Sequence, residues 1–97
     1  MLTDDTAALQ LLDSALVGIL DETERKAIIA NYPNNASLRL DAFGIDSLAL
    51  MELLTNLEDI GNIEIDYEAF DTSDLVTVGS SVRVANRILS SETGKLV

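Results

Sequence analysis

The chain has 97 residues and a mass of 10.5 kDa, which gives room for one small core and predicts a single domain over residues 1–97. Seventeen acidic residues against six basic ones set the net charge at -11, so phosphate surfaces are repelled and neither nucleic acid nor an anionic membrane is an expected partner. Cysteine and histidine are absent, which excludes disulfides, thiolate zinc sites, cysteine nucleophiles and Ser-His-Asp triads. The apolar share is 47% but the aromatic share only 4%, so a core must be built from Leu, Ile, Val and Ala. That composition suits helices and is too apolar for a disordered acidic tail. No apolar run approaches the length of a membrane span, and the acidic start Met-Leu-Thr-Asp-Asp lacks the basic opening of a signal peptide. A cytoplasmic, monomeric, all-α protein is expected.

The first helix is predicted over residues 5–20. Thr3 to Asp5 supply caps and early acids, and Ala8, Leu11, Leu12, Ala15, Leu16 and Ile19 recur at three- and four-residue spacing. Asp21 and Glu24 form an Asp-x-x-Glu capping pair, and Ala27, Ile28 and Tyr32 continue an apolar face. A second short helix, or an extension of the first, is expected over residues 22–31 and ends at Pro33. Residues 33–46 read as a long loop with a turn at Asn34-Asn35, another at Gly44, and Leu38, Leu40, Phe43 and Ile45 as apolar anchors.

Asp46 or Ser47 caps the next helix, expected over residues 47–60. Leu50, Leu53, Leu54 and Leu57 form its buried stripe and Gly61 its end. Ile63 and Ile65 alternate with acids, but a lone strand would have no partner, so an extended connector is expected. One helical turn is expected near Tyr67 to Asp71. Thr77 or Ser80 caps a last helix with Val78, Val82, Ala85, Ile88 and Leu89 on one face, and Gly94 lies past its end. The fold expected is thus a bundle of three main helices plus one short one.

Ten acids fall between Asp41 and Asp74, and no Lys or Arg lies between Arg39 and Arg83. Such a stretch is either a solvated face or a docking surface for basic partners. Asp66, Glu68 and Asp71 are a poor match to a calcium loop, because the central glycine and terminal glutamate are missing, and no metal site is expected. A serine without a histidine or lysine partner is a poor nucleophile, and no glycine-rich phosphate cradle is present. No enzyme is expected.

One stretch departs from the pattern: Leu40-Asp41-Ala42-Phe43-Gly44-Ile45-Asp46-Ser47-Leu48-Ala49-Leu50-Met51-Glu52-Leu53. Anchored loop, tight turn and helix start place Ser47 at the positive end of a helix dipole. That position suits either a plain cap or an added phosphate.

Gly44-Ile45-Asp46-Ser47-Leu48 resembles the Gly-x-Asp-Ser-Leu motif of acyl and peptidyl carrier proteins. The likeness extends to Asn34-Asn35-Ala36-Ser37-Leu38 before the motif, Glu52-Leu53 in the following helix, Ile63-Glu64-Ile65 after it, and Thr77-Val78-Gly79 at the last helix, so that it covers residues 34–90. The resemblance implies an acyl-carrier-protein-like bundle. It implies a 4'-phosphopantetheine arm from coenzyme A, joined to Ser47 by a phosphodiester, with Asp46 beside the attachment point. It also implies that the arm holds an acyl or aminoacyl group as a thioester, passed between enzymes of a biosynthetic pathway. The implied partners are a phosphopantetheinyl transferase, a loading enzyme and downstream synthases. Leu48, Met51 and Glu52 are the residues expected to touch them, with core packing as the alternative for Met51.

Four departures bear on the subtype. The segment between the first helix and Asn34 is several residues longer than in fatty-acid carriers. Ala49 stands where fatty-acid carriers often have an acid, Ile45 stands where peptidyl carriers often have a second glycine, and Ile60-Gly61-Asn62 replaces an acid-aromatic helix end. They point to a free-standing carrier of a dedicated pathway, of polyketide or nonribosomal-peptide type. The alternatives are a housekeeping fatty-acid carrier, a small acidic helical adaptor in which Ser47 only caps a helix, or a carboxylate metal binder.

Overall fold

The first helix ends earlier than its apolar stripe. In the computed structural model, which describes residues 5–66, 70, 72–90 and 95–96 (backbone alone at 72, 74, 95 and 96), α1 spans Thr6–Ala15. Ala8, Leu11, Leu12 and Ala15 form its buried face. Leu16 and Leu20 also reach the core, but residues 16–20 form a turn in place of the expected last helical turn. Gly18 sits at φ 89°, a conformation that ends a helix and that glycine adopts without a Cβ penalty. Asp5 occupies the N-cap position without capping; its Oδ1 accepts from Asn86 Nδ2 at 3.0 Å. Thr3 and Asp4 lie outside the described residues.

Residues 22–31 form a complete, separate helix. α2 spans Glu22–Asn31, ten residues like α1, so the expected three main helices and one short one become four. Asp21 caps it, accepting the Glu24 amide at 2.8 Å. The proline that follows drives Tyr32 into an extended conformation, ψ 137°, and the helix stops. Of its side chains only Ile28 is buried, and Arg25 fastens it to α1. The Arg25 guanidinium donates to Asp13 Oδ1 and to the Leu20 carbonyl, each at 3.1 Å.

α3 spans Ser47–Gly61 and buries Leu53, Leu54 and Leu57, with Leu50 half-buried. Gly61 is its last residue, and Asn62, at φ 53°, takes the left-handed position expected of the glycine. Gly61 serves packing: a Cβ there would stand 2.6 Å from Ile88 Cγ2. Glu64–Ile65 form a short strand β1, paired in parallel with β2, Lys95–Leu96. The extended connector therefore does have a partner, supplied by the end of the chain. The turn expected at Tyr67 to Asp71, apart from buried Phe70, and Gly94 lie outside the described residues.

α4 spans Val78–Leu89, and Thr77 is its cap, accepting the Ser80 amide at 3.1 Å. Val78, Val82, Ala85 and Ile88 are buried as expected, together with Val84. Leu89, placed on that face from its spacing, is 49% exposed at the helix end. α1 packs against α4 and α3, and this contact makes the centre of the core. The Cα radius of gyration is 12.4 Å, close to the roughly 12.5 Å of a folded chain this long. The structure is mostly helical, as expected of an all-α protein. Among the described residues no helix is long and apolar enough to cross a membrane.

Candidate functional site

The loop before α3 is held by backbone bonds to the start of α4. The first amides of a helix have no acceptor within it. Here Val78 N donates to the Leu38 carbonyl at 2.9 Å and Gly79 N to the Ala36 carbonyl at 2.8 Å. Leu40 N returns a bond to the Val76 carbonyl at 2.9 Å. The approach is close enough that a Cβ on Gly79 would lie 3.0 Å from the Ala36 oxygen. Leu40 and Ile45 are buried beneath the loop and Phe43 is partly buried. Leu38, the fourth expected anchor, is 48% exposed: its carbonyl, not its side chain, fastens the segment.

From that attachment the chain makes a 3-10 turn over Leu40–Phe43, closed by Gly44 at φ 85°. Asp46 then adopts the N-cap conformation of α3, and its Oδ1 accepts the Ala49 amide at 2.9 Å. Ser47 is the first residue of the helix and is exposed. The capping task belongs to Asp46, and the Ser47 hydroxyl takes no part in it. Among the described residues that hydroxyl has no hydrogen-bond partner.

The exposed face of α3 runs from Ser47 along one stripe. Leu48, Met51, Glu52, Thr55 and Asp59 recur at helical spacing and are all exposed. Leu48 is 82% exposed and Met51 43%, so Met51 belongs to the surface rather than the core. The stripe is apolar beside Ser47 and acidic farther along. Not every acid in the region is available to a partner. Glu58 Oε2 accepts the Ile65 amide at 2.8 Å, fixing β1 to α3. Asp41 is paired with Arg39 at 2.9 Å, and hydrogen bonding to that guanidinium holds its carboxyl below the ordinary range. Glu52 and Asp59 make no ion pair among the described residues.

A cavity of about 320 Å³ lies between α2 and the loop that leads to Ser47. Ala27, Ile28, Leu38 and Phe43 give it apolar walls, and Asn31, Asn34 and Asn35 add carboxamides. Asn35 is 7% exposed. Its Nδ2 donates to the Ile28 carbonyl at 3.0 Å, and its Oδ1 is buried without a partner among the described residues. Residue spacing does not point to this cavity, because it does not distinguish α2 from an extension of the first helix.

The arrangement suits a phosphodiester on Ser47. The hydroxyl projects from an exposed first turn, its loss to a covalent bond leaves the cap intact, and the helix N-terminus favours the added negative charge. No protein-family model, curated protein or solved structure matches the chain.

Proposed function

We propose that this protein is a carrier that tethers an acyl or aminoacyl intermediate on a 4'-phosphopantetheine arm at Ser47. The observation that supports this reading most is the exposed Ser47 hydroxyl, relieved of capping by Asp46, within Gly44-Ile45-Asp46-Ser47-Leu48. In the finer arrangement proposed, α1, α3 and α4 are the three main helices of a carrier bundle. α2 is then an insertion in the connection that precedes the modified serine.

The arm supplies a thiol that holds cargo as a thioester, a nucleophile this cysteine-free chain lacks. Attachment is performed by a phosphopantetheinyl transferase. The Ser47 oxygen bonds to the phosphorus of coenzyme A that bears the pantetheine, the pyrophosphate P–O bond breaks, and adenosine bisphosphate leaves. The hydroxyl proton passes to a base of the transferase. The chain's own residues present and position. Asp46 fixes the first turn of α3, and Leu48 and Met51 offer a small apolar contact. Glu52 steers basic partner surfaces, giving the fast and reversible encounters that a shuttle requires. The partners proposed are that transferase, a loading enzyme and downstream synthases of a dedicated pathway.

Incubation of apo protein with coenzyme A and a broad-specificity transferase, followed by fragmentation of the modified peptide, tests the assignment. The phosphopantetheine is expected on Ser47; attachment at another serine contradicts the reading.

A further inference from the structure

The charge of the chain is not uniform. No acid lies between Asp74 and Glu92, and Arg83 and Arg87 both fall in that stretch. α4 is buried over most of its surface, and the two arginines stand one turn apart on the side left exposed. A cleft of about 110 Å³ lies along this side, lined by Ser80, Arg83, Val84 and Arg87. Side chains at this spacing have Cβ atoms about 6 Å apart, so two guanidinium groups can serve one ligand. Like charges so placed repel each other, and an anion between them turns that repulsion into attraction.

Ser80 gives the cleft a polar floor. It is 8% exposed, and its Oγ accepts from Arg83 Nη2 at 3.4 Å and lies 2.8 Å from Thr77 Oγ1. Either hydroxyl of that pair can be the donor. When Thr77 donates, the Ser80 proton is left for a group in the cleft, and no heavy atom has to move. The helix terminus itself is not the anchor. The amides of Val78 and Gly79 are taken by the Leu38 and Ala36 carbonyls, and that of Ser80 by Thr77 Oγ1.

Size and donors select the ligand. The cleft has the volume of about four liquid water molecules, enough for one tetrahedral oxyanion and too small for a base, a sugar or a peptide segment. A carboxylate has two oxygens and is satisfied by one guanidinium fork. A phosphoryl group offers three, which two guanidinium groups and a hydroxyl can share. The net charge of -11 opposes extended phosphate surfaces, but at physiological ionic strength charges beyond a Debye length of about 8 Å are largely screened. Asp5, packed against α4, is engaged by Asn86 Nδ2 at 3.0 Å and by the Tyr32 hydroxyl.

We propose that the cleft formed by Ser80, Arg83 and Arg87 on α4 is a binding site for a phosphoryl group, carried by free phosphate or by a small soluble phosphate ester. Ser47 does not line it, and the inference does not rest on the carrier reading.

The test is heteronuclear NMR of isotope-labelled protein titrated with inorganic phosphate, above its second pKa and with sodium chloride holding the ionic strength constant. The amides of Ser80, Arg83, Val84 and Arg87 are expected to shift saturably, with a Kd on the order of millimolar. Arg83→Gln and Arg87→Gln change exposed positions, and each is expected to weaken binding at least about tenfold. Acetate is expected to bind at least about tenfold more weakly than phosphate. Glycerol phosphate separates the two sources: tighter binding than inorganic phosphate assigns the site to esters, and equal or weaker binding assigns it to the free ion. Shifts that grow without saturation, that acetate reproduces at equal concentration, or that persist undiminished in either arginine variant overturn the site.

Discussion

The Asp46 carboxylate accepts the Ala49 amide at 2.9 Å, and the neighbouring Ser47 hydroxyl is thereby left without a capping task. Serine and aspartate are both good N-caps, so adjacent placement alone leaves their roles interchangeable. The backbone separates them: Asp46 is extended, as a cap must be, and Ser47 is already helical.

This division predicts opposite results from adjacent substitutions. Asp46→Ala removes the cap and is expected to cost about 1 kcal/mol. Ser47→Ala removes an exposed hydroxyl and is expected to change stability by less than about 0.5 kcal/mol. Urea unfolding of both variants measures the difference. A larger loss from Ser47→Ala than from Asp46→Ala would assign the cap to the serine.

Gly61 and Ile88 set a second test, away from the site. A Cβ at Gly61 would meet Ile88 Cγ2 at 2.6 Å, and Ile88 is 3% exposed and β-branched, so it has little freedom to turn aside. Gly61→Ala gains helix propensity but overpacks the junction of α3 and α4. A net loss of roughly 1–2 kcal/mol is expected, because overpacking typically costs more than the propensity returns. A thermal melt with an unchanged or raised midpoint would contradict this packing.

The Tyr32 phenol gives the fold a dependence on alkaline pH. Burial, then the Asp5 charge and the hydrogen bond to Asp5, raise its pKa above the ordinary 10.0, with Arg83 opposing. The folded protein therefore holds this proton more tightly than the unfolded chain does. The stabilisation is complete below pH 10 and is lost as pH rises through the raised folded value. Melting temperatures measured from neutral pH to above pH 10 are expected to fall more steeply for the native protein than for Tyr32→Phe. Parallel curves would contradict it.

Leu48 makes the docking face testable without disturbing the fold. It is 82% exposed, so Leu48→Ala is expected to leave stability within about 0.5 kcal/mol of the native value. If the apolar end of the α3 stripe meets partners, the same substitution lowers kcat/KM for transferase modification several-fold. Equal rates for native and variant protein would place the contact elsewhere.

Much of this architecture is legible in the residues, and the exceptions share a cause. Leu53, Leu54 and Leu57 are buried where their spacing puts them, and Thr77 caps α4 with its own side chain. These are local relationships within one or two helical turns. α2 is harder to recognise because Ile28 is its one buried side chain and no broad apolar stripe marks it. The β1–β2 pair joins Glu64 and Ile65 to residues at the far end of the chain, and two-residue strands carry no periodicity. The bonds of Ala36, Leu38 and Leu40 to the start of α4 run between backbone groups, so no side-chain pattern announces them. Their visible trace is Gly79, the residue that permits the close approach. The motif around Ser47 stands out from residue types alone, but which of Asp46 and Ser47 caps the helix, and whether Met51 is buried, are settled by backbone geometry.

Intact mass of the apo protein after incubation with coenzyme A and a broad-specificity phosphopantetheinyl transferase, with Ser47→Ala treated alongside, tests the carrier assignment most directly. The native protein is expected to gain the mass of one phosphopantetheine and the variant none. No gain by folded apo protein, or an equal gain by Ser47→Ala, would contradict it.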